Sequence, residues 1–288
     1  PLDGDGKMKQ KLIFLDIDGT LLPPGEMTVP DSAVEALRRA RANGHKLFLC
    51  TGRNLRMTAP LFHYGFDGFV CSAGGYVGCE GKVLVDLPME PEQVRGLRAA
   101  LQACGAECTL EVRDDTYGGI KMIERFANLF PKKPGQTNSE AERWRKMMEF
   151  GMTIRPIEEY HGEPVYKIVF IAPNEACLTE VKRQYEDQFI FCESRLGDEG
   201  GGIVNGELIN RKFNKGSGIR AICNYLGCSL ADTIGFGDSD NDLQMTDVVG
   251  ISVCMANGSD NLKKRCDRIC PAVTDDGIAR EFAALGLI

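Results

Sequence analysis

The chain has 288 residues, 43% of them hydrophobic and 26% charged, enough apolar material for a sizeable core, and this excludes intrinsic disorder as its main description. Lys and Arg number 34 against 41 Asp and Glu, a net charge of −7, so the chain lacks the basic footprint of a nucleic-acid binder or a polybasic membrane-surface protein. No apolar run approaches the roughly 18 residues of a membrane-spanning helix.

Pro1–Lys7 reads as an expression scar ahead of a start at Met8, and no signal peptide is visible. The first predicted strand is Leu12-Ile-Phe-Leu15, ending in Asp16. A helix follows, with Asp31 or Ser32 as its N-cap, apolar residues at Val34, Leu37 and Ala40, and Gly44 as its stop. Lys46–Cys50 is a second strand ending in Thr51, a short helix covers Leu55–Phe62, and Gly68–Ser72 is a third strand. Strand–helix–strand alternation of this kind predicts a parallel α/β sheet.

The rhythm changes near Leu87, where Pro88 and Pro91 punctuate the chain. A helix is predicted from Glu92 to Ala103 and a strand over Tyr166–Ile171. Five glycines between Gly197 and Gly206 read as a linker or hairpin. The βα rhythm then returns, with a helix from Gly216 to Leu226, a strand Thr233–Phe236 before Gly237-Asp238, and a strand Gly250–Met255. The predicted organisation is a core in two pieces, 8–86 and 197–288, with an inserted domain over 87–196.

Twelve cysteines are scattered along the chain, none in a C-x-x-C pair, and the three histidines stand apart from them. That pattern offers no zinc site. Without a secretory segment the cysteines read as free thiols in a reducing cytoplasm, with Cys50, Cys71 and Cys254 serving as small core hydrophobes.

Three apolar runs end in polar residues: Asp16, Thr51 and Asp238. Ligands of open α/β sheets bind beyond the carboxyl ends of the strands. Neighbouring strands would bring Asp16, Asp18, Thr51, Asp238 and Asp242 into one crevice. Carboxylates gathered there repel unless a cation sits among them, and an oxygen-only donor set suits Mg²⁺. Gly52 after Thr51 lets backbone N–H groups approach an anion. Lys215 stands at a helix start, where the dipole disfavours a cation, which points to a functional reason for it. A Lys, a Mg²⁺ and a Thr-Gly turn together fit a phosphoryl group. The alternating Asp238, Asp240 and Asp242 are no EF-hand, because its sixth and twelfth positions hold Leu243 and Val249 instead of Gly and Glu.

With these motifs in place, the chain resembles the haloacid dehalogenase superfamily, and within it the Cof-type branch with a C2B cap. The matching stretches are Asp16-Ile-Asp-Gly-Thr-Leu-Leu22, Leu49-Cys-Thr-Gly-Arg53, Asn214-Lys-Gly216, Gly237-Asp-Ser-Asp-Asn-Asp-Leu243, and Met255-Ala-Asn-Gly258 with Asp275-Asp-Gly277. The resemblance implies a Rossmann-like, doubly wound parallel sheet with an inserted α+β cap. It implies Asp16 as a nucleophile that forms an aspartyl phosphate and Asp18 as general acid and then base, its backbone carbonyl also touching the metal. It implies Thr51, Gly52, Lys215 and Asn241 around the phosphoryl group. Asp16, Asp18, Asp238 and Asp242 would serve Mg²⁺, with Asp242 either on the metal or behind it, and Asp240 would be a solvent or cap residue. Many relatives carry Asn-Gly after the third strand, where this chain has Ala73 in Ser72-Ala-Gly-Gly75.

The expected function is a cytoplasmic, Mg²⁺-dependent phosphatase of small phosphate esters, sugar phosphates first and phosphorylated cofactors next. The expected state is a monomer or weak homo-oligomer, without nucleic-acid or membrane partners. A phosphomutase and a non-catalytic phosphometabolite-binding protein are the alternatives. The inserted segment carries 15 Lys and Arg against 18 Asp and Glu, so it offers no broad surface for anions. Trp144 and the group Arg113, Asp114, Asp115 and Tyr117 are its candidate specificity residues, with a helix face and a solvated turn as their ordinary readings.

Overall fold

The computed structural model describes residues 9–119, 154–196 and 202–288. Trp144 and the segment before Met8 lie outside them. The chain divides into two compact units: the residues up to Arg53 with Thr58–Asp86 and Asn214–Ile288, and Asn54–Met57 with Leu87–Phe213. Among the described residues no helix is long and apolar enough to cross a membrane.

In chain order the strands are β1 (Leu12–Leu15), β2 (Lys46–Cys50), β3 (Gly68–Cys71), β4 (Tyr76–Cys79), β5 (Lys82–Asp86), β6 (Glu107–Val112), β7 (Thr116–Gly118), β8 (Arg155–Pro156), β9 (Val165–Ala172), β10 (Phe189–Leu196), β11 (Ile203–Asn210), β12 (Thr233–Gly237), β13 (Ile251–Met255) and β14 (Arg268–Cys270). The first unit holds the sheet β14-β13-β12-β1-β2-β3-β4-β5. Its strands run parallel from β14 to β3, while β4 and β5 add an antiparallel edge. The chain winds outward from β1 through β2 and β3, then restarts on the other side of β1 with β12. The strand order therefore reverses between β1 and β12, and a crevice opens at the carboxyl ends of such a switch point.

The run Leu12–Leu15 is apolar throughout because both faces of its sheet are covered. Leu12 and Phe14 pack with Phe48, Cys50 and Val70 against Ile219 and Ile222 of the helix Lys215–Leu226. Ile13 and Leu15 point the other way, to Ala36, Leu37 and Ala40 of the helix Asp31–Ala42. Phe14 stacks on Phe48 with ring centroids 4.8 Å apart. Burying each such side chain contributes about 1.5–3 kcal/mol.

The helix Asp31–Ala42 starts one residue earlier than its expected caps allow. Pro30 is the N-cap, no side chain caps the helix, and Asp31 and Ser32 lie in the first turn. Its end follows the sequence signal: Gly44, at φ +88°, donates to Arg41 O and His45 N–H to Ala40 O, a Schellman stop. The short helix expected over Leu55–Phe62 is an α-helical turn, Leu55–Thr58, followed by a 3₁₀ turn, Ala59–Tyr64, that carries Pro60 near its start.

The second unit holds the sheet β10-β11-β9-β6-β7-β8, antiparallel except for the β7–β8 pair. The helices Pro91–Ala103 and Thr179–Tyr185 cover one face through Val94, Leu97, Leu101 and Val181, which pack on Leu110, Ile168, Phe170 and Leu208. The expected return to the core at residue 197 is corrected here. β11 pairs along its length with β10 and β9, so the second unit extends to Phe213. Gly206, the last glycine of that run, lies within β11, and a strand that begins in such a run carries no local mark of which sheet it joins.

Asn54–Met57 also belongs to the second unit, although it follows β2 directly. Asn54 Nδ2 donates to Val112 O (3.0 Å) and Asp115 O (3.2 Å), and Arg56 N–H donates to Arg113 O (3.2 Å). Arg56 also pairs with Asp115, as does Arg155. Arg113–Asp115 is therefore an anchored turn, and Tyr117 is a buried β7 residue instead of a loop residue.

Candidate active site

The site is built at the carboxyl ends of β1, β2 and β12. Asp16 still belongs to the β-ladder, since its N–H donates to Phe236 O at 3.0 Å. The chain then folds back, with Gly19 N–H donating to Leu22 O and Leu22 N–H to Ile17 O, both at 2.8 Å. Gly19 sits at φ +83°, and a Cβ there would lie 2.2 Å from Asp238 Oδ2. Only glycine lets the Asp238 carboxylate settle against this loop. Thr20 Oγ1 donates to the other Asp238 oxygen at 3.4 Å.

Lys215 is the first residue of the helix Lys215–Leu226, which begins there because Asn214 and Ser217 form a reciprocal capping box. Its side chain is 1% exposed. Nζ donates to Asp16 Oδ1 (2.7 Å), Asp242 Oδ1 (2.5 Å) and Asn241 Oδ1 (3.3 Å). Two carboxylates at contact distance outweigh the unfavourable helix dipole and hold Lys215 protonated, its pKa raised well above the usual value despite burial. Asp242 Oδ2 in turn accepts from the backbone N–H groups of Asp238 (3.0 Å) and Ser239 (3.1 Å), which fixes the turn after β12.

Asp16, Asp238 and Asp242 each bring a carboxylate oxygen within 4.8 Å of the others. Burial pushes the Asp16 carboxyl up to about 7, Lys215 pulling it back and Asp242 adding to the rise. Burial, then the charges of Asp16 and Asp242, push Asp238 up to about 9. When all three are ionised, as a bound cation would favour, the carboxylates exceed the one ammonium by two negative charges, carried by hard oxygen donors. This donor set fits a divalent cation such as Mg²⁺.

Thr51 ends β2. Its N–H donates to Val70 O (2.8 Å), and its hydroxyl accepts from Arg53 N–H (3.1 Å) across the half-buried Gly52. Arg53 was not among the residues expected to act, yet it grips Asp18 with two parallel bonds, Nε to Oδ2 at 2.9 Å and Nη2 to Oδ1 at 2.6 Å. The one available signal was its place in Thr51-Gly-Arg53. Asn257 is a second residue without an expected role: Nδ2 donates to Gly19 O (2.8 Å) and Oδ1 accepts from Val273 N–H (3.0 Å), tying the β1 loop to the tail. Ser259 N–H holds Asp238 O at 2.8 Å. Asp240 is exposed and accepts from Ser259 Oγ and Asn261 Nδ2, so it braces the start of the next helix.

Ser72 and Ala73 both adopt positive φ, +49° and +57°, at the end of β3. An Asn at position 73 would sit in this conformation at lower cost than the alanine present. The basic run Lys263–Arg265 is the last turn of a short helix, where Arg265 pairs with Asp247.

The family model for haloacid dehalogenase-like hydrolases matches residues 13–282. The chain belongs to this family. It is 26% identical to the 5-amino-6-(5-phospho-D-ribitylamino)uracil phosphatase YitU of Bacillus subtilis, covering 94% of this chain and 96% of that one. It is 28% identical to the HMP-PP phosphatase of Yersinia enterocolitica, covering 90% and 88%. The solved HAD subclass IIB sugar phosphatase BT4131 superposes with a TM-score of 0.74 over 97% of this chain and all of that one, at 22% identity, and so shares its fold. As a haloacid dehalogenase-like hydrolase with phosphatases for relatives, the chain is an enzyme of the phosphatase class.

Proposed function

We propose that the chain is a Mg²⁺-dependent phosphatase of small phosphorylated metabolites that works through an aspartyl phosphate on Asp16. The observation that carries the reading is Lys215 Nζ, buried and in contact with both Asp16 and Asp242. An ammonium at that point orients the Asp16 carboxylate and meets a phosphoryl oxygen arriving beside it. Asp16 Oδ attacks phosphorus as the ester P–O bond breaks. Thr51 Oγ1, the Gly52 N–H, Asn241 and Lys215 hold the equatorial oxygens and offset their growing charge.

Asp18 gives its proton to the departing alkoxide and then accepts one from the water that opens the aspartyl phosphate. Held by Arg53, Asp18 is a carboxylate and can only accept. The acid step therefore needs Asp18 to leave Arg53, whereas the base step suits the paired form. Asp16, the Asp18 backbone carbonyl and Asp238 would hold Mg²⁺. Asp242, whose oxygens already serve Lys215 and two amides, holds those groups in place from behind. When bound, Mg²⁺ shields the phosphoryl charge so that one anion can approach another.

Sugar phosphates are the first substrate class and phosphorylated cofactors the next, in line with the names of the relatives above. The test is phosphate release from a panel of sugar phosphates, nucleotides and phosphorylated cofactors with Mg²⁺ and with EDTA. Hydrolysis that needs Mg²⁺ supports the reading. Release from no ester, phenyl phosphate included, overturns it.

A further inference from the structure

Asn257 lies in the turn that follows β13, and both ends of its amide are occupied. Nδ2 donates to Gly19 O at 2.8 Å, and Oδ1 accepts from Val273 N–H at 3.0 Å. A carbonyl can only accept and an N–H can only donate, so these two partners fix which way the amide points. The side chain is exposed and fills no core space, so its contribution lies in the two bonds.

Gly19 is where the first of them matters, because it joins two peptide planes. The plane before it carries the Asp18 carbonyl, and its N–H, that of Gly19, donates to Leu22 O at 2.8 Å. The plane after it carries Gly19 O, and its N–H, that of Thr20, makes only a long bond of 3.4 Å to Ile17 O. A peptide plane turns as one body, so the bond from Asn257 sets this second plane. Gly19 itself, at φ +83°, is the most permissive joint of the loop. The Asp238 carboxylate lies against it, so close that a Cβ on Gly19 would fall 2.2 Å from Oδ2.

The same turn also reaches the β12 loop. Two residues after Asn257, Ser259 N–H donates to Asp238 O at 2.8 Å. Gly258 between them allows the approach, since a Cβ there would lie 2.8 Å from Asp238 O. One three-residue stretch, 257–259, therefore ties the loop of Asp18 to the loop of Asp238.

We propose that Asn257 is a positioning residue for the metal site, holding the Gly19 joint so that the loops carrying Asp18 and Asp238 are ordered before Mg²⁺ binds. Without its donor the Gly19–Thr20 peptide gains freedom, and the cost of ordering it is taken from the binding of the cation. Affinity then falls by the worth of one neutral hydrogen bond. This role rests on the reading that Asp16, the Asp18 carbonyl and Asp238 hold Mg²⁺, and deepens it.

The test is calorimetric titration of the full chain with Mg²⁺, without substrate, for the wild type, Asn257→Ala and Asn43→Ala. Asn43 makes the same kind of bridge away from the site, its Nδ2 donating to Leu287 O at 3.0 Å. Asn257→Ala should raise the Mg²⁺ Kd about fivefold, and Asn43→Ala should leave it unchanged. In EDTA the two variants should melt alike, no more than about 4 °C below the wild type, because each has lost one bridging amide. With phenyl phosphate, the Mg²⁺ concentration for half-maximal rate should rise for Asn257→Ala while KM for the ester holds. An unchanged Kd in Asn257→Ala, or an equal shift in Asn43→Ala, would overturn the proposal, as would a wild type that binds no Mg²⁺. If the wild type binds Mg²⁺ yet hydrolyses no ester, the phosphatase reading fails by itself, and the titration still decides the role of Asn257.

Discussion

Among the described residues two lysines are buried, each clasped by two carboxylates. Lys215 lies between Asp16 and Asp242 in the first unit, and Lys167 between Glu111 and Glu207 in the second. Around Lys215 a third carboxylate, Asp238, completes the group, and the turns that carry it are bonded by Gly19, Asn257 and Ser259. Around Lys167 the described residues add Thr109 and Thr116 on the same sheet face. Both lysines stay charged when buried because two acids clasp each, and the difference between them is the third acid beside Lys215.

The largest effect expected from breaking this contrast is at Asp16. Asp16→Asn should lower kcat by more than about a thousandfold while the melting curve stays cooperative; retention of about a tenth of the rate would remove Asp16 as nucleophile. Asp18→Asn should cost about 10²–10⁴ in kcat through loss of acid–base catalysis, read by steady-state kinetics against phenyl phosphate. The two lysines can be compared directly by urea unfolding. Lys215→Met and Lys167→Met each strand a buried carboxylate, and each should lose about 3–5 kcal/mol. Mg²⁺ should restore part of that loss only for Lys215→Met, since only there does a divalent cation find the stranded acids. In the wild type, Mg²⁺ at a hundred times its Kd should stabilise by about 2.7 kcal/mol, and EDTA should reverse the shift in Tm.

The smallest effect lies away from both lysines, at His45. Its Nδ1 accepts from Lys11 N–H at 3.0 Å, and burial, with Lys11 adding, holds its pKa below the usual value. The unfolded chain therefore takes up a proton more readily than the folded one. The stability from His45 is present above about pH 6.5, the ordinary imidazole value, and is lost as pH falls from there through the lower folded value. Melting curves across that window should show the loss, and His45→Gln, which keeps an acceptor, should flatten it.

Much of the first unit was legible because its determinants are local. An all-apolar run such as Leu12–Leu15 has no alternative but a strand covered on both faces, and the residues that end β1, β2 and β12 must meet once those strands are neighbours. The β4–β5 hairpin was missed, although its turn, Glu80 and Gly81 with φ of +50° and +78°, is a two-residue connection of the primed kind. The edge strand it adds is only partly covered, with Val83 53% exposed, so its pattern lacks a buried face. In the second unit the sheet assignment of β11 depends on which strands pair across long separations, and no local pattern encodes that. Arg53 was hidden for a different reason: its partner Asp18 is 35 residues away, and an Arg after a Thr-Gly turn has many uses.

The four-residue segment Asn54–Met57 has a consequence for anyone who recombines such proteins. The chain passes between its units at 53/54 and 57/58 as well as at 86/87 and 213/214. A chimera that exchanges only 87–213 would bring in a foreign hairpin and leave the host's Asn54 to bond it at the carbonyls of Val112 and Asp115. The transplantable module is discontinuous, and a graft that keeps the native contacts must carry the small piece along with the large one.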